Sequence, residues 1–304
     1  MTSTAYLLIS HGSRDPRHQS AINRLAQLVR ERLNPAMLGP WSAQPLALVT
    51  EARPIDATAS GAHHIGSSQR FKDGRAVMTA APVVTKSIPK GSARLPQDRL
   101  IVGTAVLEFG LLPLHEQICE FGRRLSSAGV ERLRLVPLFL LRGKHVMDDI
   151  PREVELARKQ LGGLIELEIS EHIGGNNHML DLITDRLTQS PQTGRLLVAH
   201  GSRRARGNRS VDNLAKSLGI AAAYWTKESH IEEQTIHLMQ QGCSTLTIFP
   251  YFLFAGGITD AIAHLTEELA ERFPRTRFRL LPPLGATADV ANLVVNSLGH
   301  RTVR

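Results

Sequence analysis

A short pattern occurs twice in this chain, and the repetition limits the possible folds more than any other feature. Residues 6–17 read YLLISHGSRDPR, and residues 195–206 read RLLVAHGSRRAR. Each is an apolar run that ends in His-Gly-Ser-Arg and leads into a helical pattern. A second pair follows in the same order, with LVPLFLLRGKH at 135–145 and IFPYFLFAGGI at 248–258. Two matches in one order predict two copies of a single fold.

Within each copy, short apolar runs alternate with amphipathic helical patterns. The first copy has predicted strands near residues 5–10, 100–107, 132–139 and 164–168, and predicted helices near 17–33, 113–128, 148–161 and 176–189. The second has predicted strands near 195–199, 221–225, 244–251 and 276–281, and predicted helices near 207–218, 230–241, 259–273 and 286–299. This alternation is typical of parallel sheets, and right-handed crossovers then predict two tandem doubly wound α/β domains.

We place the domains at residues 1–190 and 191–304, with the boundary just before the second copy begins. Residues 35–98 interrupt the first domain, since they are rich in Pro, Ala, Ser, Thr and Gly and show no sustained period. A stretch of this length without periodicity predicts a flexible insertion. Its pair His63 and His64 is interpreted as solvated rather than as metal-binding.

Composition and charge narrow the classes of function. The net charge of +8 favours anionic partners, but the low count of three tyrosines and two tryptophans is unfavourable for nucleic-acid binding. Cys119 and Cys243 form no CxxC pair, so they cannot by themselves hold an iron–sulfur cluster. The apolar runs are too short for a signal peptide or a membrane span, and we expect a cytoplasmic protein.

Three side chains with metal-binding chemistry follow strands of the first copy. His11 follows LLIS, Glu108 closes VGTAVLE, and His145 comes shortly after VPLFLL. Open α/β sheets bind their ligands at the carboxyl ends of the strands. Two imidazoles and a carboxylate suit a divalent first-row metal and leave coordination positions open. We therefore predict a metal site, although each residue alone is also typical of a turn or a solvated strand end.

Two other kinds of site are not supported. His11-Gly12-Ser13 lacks the GxSxG context of a serine hydrolase, and Ser13 and Asp15 instead suit the start of a helix. Neither GxGxxG nor a Walker A pattern follows any strand, so no nucleotide cofactor is predicted.

The ordered motifs resemble those of the CbiX/SirB sirohydrochlorin chelatases. The segments LISHGSRDPR, TAVLEF and VPLFLLRGKHVMDDIP resemble the catalytic half of that family. The segments VAHGSRRAR and IFPYFLFAGG resemble the degenerate second half of its long members. The resemblance covers about residues 5–34 and 99–300, and it implies that His11, Glu108 and His145 handle the metal.

The same resemblance implies the reaction. It is the insertion of Fe²⁺ or Co²⁺ into sirohydrochlorin, a tetrapyrrole that bears carboxylates, during sirohaem or cobalamin biosynthesis, without an organic cofactor. Basic residues flank the two histidines and are candidates for binding carboxylates, because Arg forms bidentate pairs and Lys offers a mobile charge. These candidates are Arg14, Arg17, Arg142 and Lys144.

The second copy has lost part of the motif. It keeps His200 but has Ile258 in the place of His145, so we expect catalysis in the first copy alone. Glu228 and His230 lie near its matching strand end in an uncertain register. His200 is a candidate substrate-binding residue of the cleft.

Several alternatives stay open. A non-catalytic carrier of metal or tetrapyrrole, and a chelatase for another metal such as Ni²⁺, are both compatible with these motifs. The affinity order of divalent metals is set largely by the metals themselves, so the ligand set does not select one. The fused copies favour a monomer with pseudo-dimeric halves.

Overall fold

The computed structural model describes residues 3–33, 101–176, 178–188, 194–202, 207–227 and 229–298, and all of them belong to one compact unit. The predicted insertion at 35–98, with His63 and His64, lies outside the described residues, and so does Glu228.

The first half alternates strands and helices as the sequence predicts. Its elements are β1 (Thr4–Ser10), α1 (Pro16–Leu33), β2 (Val102–Val106), α2 (Leu114–Ser127), β3 (Arg132–Pro137), α3 (Ile150–Leu161), β4 (Glu166–Ile169) and α4 (His178–Thr188). A π-helical turn, His145–Asp149, leads directly into α3, and a short 3₁₀ turn, Ile173–Gly175, precedes α4.

The second half repeats this order. Its elements are β5 (Gly194–Ala199), α5 (Arg209–Leu218), β6 (Ala221–Tyr224), α6 (His230–Gln240), β7 (Thr245–Pro250), α7 (Gly257–Arg272), β8 (Arg277–Leu280) and α8 (Ala288–Ser297). The strands form two parallel four-stranded sheets, in the orders β2-β1-β3-β4 and β6-β5-β7-β8. Matching strand orders confirm the predicted duplication and the doubly wound α/β class.

Strands β1 and β5 are mostly apolar because each lies inside a sheet with helices on both faces. Successive side chains of a strand point to opposite faces. In β1, Leu7 and Ile9 therefore belong to the core of the first half, whereas Leu8 belongs to a second core cluster. In β5, Val198 packs within the second half, and Leu197 belongs to the same second cluster as Leu8.

This second cluster is shared by the two halves. It takes one face of each sheet together with residues of α1 and α8, including Val29 and Val294. Hydrogen bonds also join the two halves in this region. The Arg134 guanidinium donates to the Leu298 carbonyl at 2.8 Å, and the Asn176 amide donates to the Leu293 carbonyl at 3.2 Å. The predicted boundary between residues 190 and 191 stays a prediction.

Among the described residues, no helix has both the length and the apolar character that crossing a membrane requires.

Candidate metal centre

The strand order places a switch point beside β1. From β1 the chain crosses to β2 on one side and later returns to β3 on the other. In open α/β sheets, the crevice outside the carboxyl ends at such a point is the usual ligand site. His11 follows β1, Glu108 follows β2 and His145 follows β3, so all three predicted metal-binding residues lie at this edge.

His11 and Glu108 are held side by side by the extension of the β1–β2 pairing. The Leu107 N–H donates to the Ser10 carbonyl at 2.9 Å, and the Glu108 N–H donates to the His11 carbonyl at 2.8 Å. Gly12 makes this close approach possible. Its φ is +93°, and a Cβ there would lie 1.9 Å from the Glu108 carbonyl oxygen, so only glycine fits this position.

The side chains of His11, Glu108 and His145 converge into one cluster. Each offers a potential ligand atom, and these atoms lie within 4.8 Å of one another. The His11 Nε2 is 3.9 Å from a Glu108 carboxylate oxygen, and the rings of His11 and His145 meet edge to face with centroids 4.9 Å apart. All three side chains are one third to one half exposed, so solvent and a large ligand have access. Such a set suits a divalent first-row metal with open coordination positions.

Hydrogen bonds at Nδ1 orient both imidazoles. The His11 Nδ1 lies 3.2 Å from the Gly12 carbonyl oxygen, and the His145 Nδ1 lies 2.9 Å from an Asp149 carboxylate oxygen. Both partners accept hydrogen bonds, so Nδ1 carries the proton in each ring. Each Nε2 is then left with the lone pair that binds a metal.

Asp149 was not among the sequence-predicted site residues. Its side chain is only 12% exposed, and it sits four residues after His145 at the end of the π-helical turn. Lys144 and Arg152 approach the same carboxylate at 3.9 and 3.5 Å. A carboxylate hydrogen-bonded to the outer nitrogen of a metal-binding histidine fixes the tautomer and orientation of that ring. The signal in the sequence was the spacing His-x₃-Asp, which brings the two side chains to one helical face.

The predicted substrate-binding cations differ in their surroundings. Arg17 is engaged by Asp15 and Asp260, each at 2.6 Å, and so ties α1 to the start of α7. The Arg14 guanidinium lies over the Phe109 ring, 5.2 Å from its centroid. Arg142 and Lys144 are exposed beside the π-helical turn. Roles in substrate binding stay predictions for all four cations.

The second half carries a reduced counterpart of this site. The Thr226 N–H donates to the His200 carbonyl at 2.9 Å, as the Glu108 N–H does to His11, so Thr226 takes the place of Glu108. The position that corresponds to Glu108 is therefore Thr226, rather than Glu228 or His230. The Thr226 hydroxyl is buried and has no hydrogen-bond partner among the described residues.

His200 lies close enough to the first site to be affected by it. Burial lowers the pKa of His200, and the neighbouring His11 lowers it further. His18 of α1 also stacks edge to face on Phe254, with ring centroids 5.4 Å apart. The two carboxyl-end edges therefore approach each other.

The fold and the cluster define a duplicated, doubly wound α/β protein with one candidate metal-binding edge and one reduced copy of it. The sequence model of the CbiX family matches residues 93–190 and again residues 194–300, which is more than half of the chain. The chain belongs to the CbiX family.

Individual relatives agree with this assignment. The chain is 24% identical over 155 residues to a sirohydrochlorin ferrochelatase of Priestia megaterium, an alignment that covers 47% of this chain and 58% of that protein. It is 27% identical over 85 residues to a sirohydrochlorin cobaltochelatase of Sulfurisphaera tokodaii, covering 28% and 67%. The structure of SirB from Bacillus subtilis with Fe³⁺ superposes with a TM-score of 0.62 at 17% identity, covering 98% of this chain and 95% of that one. At that identity the likeness shows the fold alone.

Proposed function

We propose that this protein is a sirohydrochlorin chelatase, which inserts Fe²⁺ or Co²⁺ into the metal-free tetrapyrrole. The observation that carries the proposal is the convergence of His11, Glu108 and His145 at the switch point of the first sheet. Membership of the CbiX family supports it, as do the activities named for the Priestia and Sulfurisphaera relatives. Ni²⁺ is a further candidate metal, because the same ligand types bind it.

The cluster would receive the metal substrate before insertion. The Nε2 atoms of His11 and His145 and a Glu108 oxygen would take three positions of the hydrated cation and displace part of its water. The remaining positions would stay open toward the cleft, which is the arrangement of a reactive rather than a structural site. A site exposed to this degree also permits the metal to leave.

Insertion also requires two pyrrole N–H protons to leave the macrocycle. A Glu108 carboxylate oxygen lies 3.9 Å from the His11 Nε2, and this carboxylate would balance the charge of the cation and accept a proton. The Asp149 hydrogen bond would keep the His145 imidazole oriented while this happens.

Carboxylates of the macrocycle would be held by basic residues around the cluster. Arg14, Arg142 and Lys144 are exposed and lie near His11 or His145 in sequence. Arg17 has two carboxylate partners, so we assign it to joining α1 and α7. His200 would contact the substrate from the second half. In this scheme residues 1–190 carry catalysis, and residues 191–304 form the opposite wall of the cleft.

We propose further that the chain acts as a monomer in the cytoplasm. Its duplicated halves already share a core cluster within one chain. Its two cysteines, Cys119 and Cys243, are unpaired, which suits a reducing compartment.

The test is insertion under anaerobic conditions. Purified protein would be mixed with excess sirohydrochlorin and Fe²⁺ or Co²⁺, and the tetrapyrrole absorbance followed over time. We expect multiple turnovers by the wild type and almost none by His145→Ala. His178→Ala is the matched control, because that side chain is 60% exposed on α4 and pairs only with Asp181 among the described contacts.

Each contrary outcome has a distinct meaning. Wild-type rates in His145→Ala would remove that residue from the site. Tight tetrapyrrole binding without turnover would favour the carrier. No tetrapyrrole binding by the wild type would contradict the substrate assignment.

A further inference from the structure

Exposed apolar side chains are concentrated beside the metal cluster. The described residues include eight large hydrophobic side chains that are exposed, and four of them lie within four positions of Glu108 or His145. These four are Phe109, Leu111, Leu112 and Met147, which are 56%, 85%, 40% and 46% exposed. Apolar surface gathered at a polar site is a mark of ligand binding rather than of core packing.

Phe109 is the most constrained of these residues. It directly follows Glu108, and its φ is +59°, one of two positive values among the described non-glycine residues. A bulky L-residue in this conformation is sterically strained. Because more than half of the side chain is exposed, burial of the ring does not explain why the strain is tolerated. Strained backbone of this kind is found where a site requires one side chain in one place.

The ring of Phe109 is directed toward the cluster. Its centroid lies 6.4 Å from that of His11, with the two rings tilted by 40°. The Arg14 guanidinium lies over the same ring, 5.2 Å from its centroid. The residue directly after Glu108 thus presents a flat apolar ring, and a cation lies over that ring. This combination is complementary to a molecule with a flat, conjugated body and carboxylates around its edge.

We propose that Phe109 is a substrate-binding residue whose ring lies against the face of the macrocycle. Arg14, held on the ring, would receive a peripheral carboxylate. Together they would place the centre of the macrocycle over the nitrogens of His11 and His145. This inference rests on the proposed function and adds to it the residue that positions the ring plane.

The experiment separates tetrapyrrole binding from metal binding. Wild type, Phe109→Ala, Phe109→Gly and Phe109→Tyr would be titrated with metal-free sirohydrochlorin, then with Co²⁺ alone, and their melting temperatures recorded. Leu164→Ala is the matched control, because Leu164 is 50% exposed but precedes β4 at the opposite edge of the sheet.

We expect Phe109→Ala and Phe109→Gly to weaken tetrapyrrole binding about tenfold, the size of one aromatic stacking contact. Phe109→Tyr and Leu164→Ala should retain wild-type affinity, and all variants should bind Co²⁺ as the wild type does. Phe109→Gly should melt at or above the wild-type temperature, because glycine adopts a positive φ without strain.

Two results would overturn the inference while leaving the chelatase assignment in place. One is wild-type tetrapyrrole affinity in Phe109→Ala and Phe109→Gly when the wild type turns over normally. The other is a joint loss of stability and Co²⁺ affinity in Phe109→Gly, which would make the residue structural. Failure of the wild type itself to bind sirohydrochlorin would overturn the proposed function and this inference with it.

Discussion

The two imidazoles of the cluster are oriented by hydrogen-bond partners that lie outside the candidate metal-binding set. Surface histidines lose rotamer freedom when they bind a metal, and this loss opposes binding. The Gly12 carbonyl and the Asp149 carboxylate fix His11 and His145 beforehand. The Asp149 contact is charge-assisted and largely shielded from water, so it is the stronger of the two. Under the proposed function, preorganisation of this kind would reduce the entropic cost of metal capture.

Replacement of Asp149 by Asn tests this support. The amide oxygen can still accept the hydrogen bond from His145 Nδ1, but the negative charge beside the ring is lost. We expect Asp149→Asn to weaken Co²⁺ binding about 10- to 100-fold, as measured by titration. Asp148→Asn is the control, because the preceding aspartate is exposed. Equal Co²⁺ affinity in both variants would show that Asp149 does not support the site.

At this scale the sequence predicts that the three clustered side chains lie together, but it does not predict their hydrogen-bond partners. His11, Glu108 and His145 were found because they follow apolar strands, whose carboxyl ends must meet. Arg17 was predicted to bind substrate because it lies near His11 in the sequence, and its ion pair with Asp260, 243 residues away, was not predicted. No local pattern reveals a contact of that separation.

Among the elements, every predicted strand and helix of the described segments occurs, because short apolar runs and amphipathic periods recur so regularly. The position at which the helical segment around α3 begins, however, differs from the prediction. The sequence pattern predicts a helix from about residue 148, whereas a π-helical turn begins at His145. A π turn leaves no distinct hydrophobic period, and such turns are frequent at functional sites. This turn brings the Asp149 carboxylate within hydrogen-bond distance of the His145 Nδ1.

The connection after β4 contributes a pH-dependent term to stability. His172 is 8% exposed, and burial lowers its pKa, an effect that Glu171 partly offsets and Arg142 adds to. An unfolded chain therefore binds more protons at this position than the folded one below about pH 6.5, the ordinary histidine value. Above that pH, His172 leaves the free energy of unfolding unaffected by proton binding. As the pH falls below it toward the lowered pKa, the free energy of unfolding decreases.

Replacement of His172 by Phe should flatten that acid-side loss. The free energy of unfolding of the wild type should fall between about pH 7 and pH 5, by at most about 1.4 kcal/mol per pH unit for this one group. In His172→Phe this part of the slope should disappear, as followed by urea unfolding at a series of pH values. His178→Phe, at an exposed position, serves as the comparison. A slope unchanged by His172→Phe would assign the acid sensitivity to other groups.

At the scale of the whole molecule, the two halves depend on each other for their burial. The shared core cluster covers one face of each sheet, and Leu8, Val29, Leu197 and Val294 are all fully buried in it. If the halves were separated, this apolar surface would face water on both. The sequence indicates duplication but not this arrangement, since the apolar face of α1 is equally suited to packing within its own half.

The two halves expressed separately should therefore be poorly stable. We expect residues 1–190 alone to self-associate or unfold at a lower temperature than the full chain, because removal of residues 191–304 exposes the inner faces of α1 and β1. Each large buried aliphatic side chain that becomes exposed removes about 1.5–3 kcal/mol. Co-expression of the two fragments should restore a one-to-one complex, detected by size-exclusion chromatography with light scattering, together with tetrapyrrole binding. A monomeric 1–190 fragment that melts with the full chain would contradict this dependence, because its inner face would then need no partner.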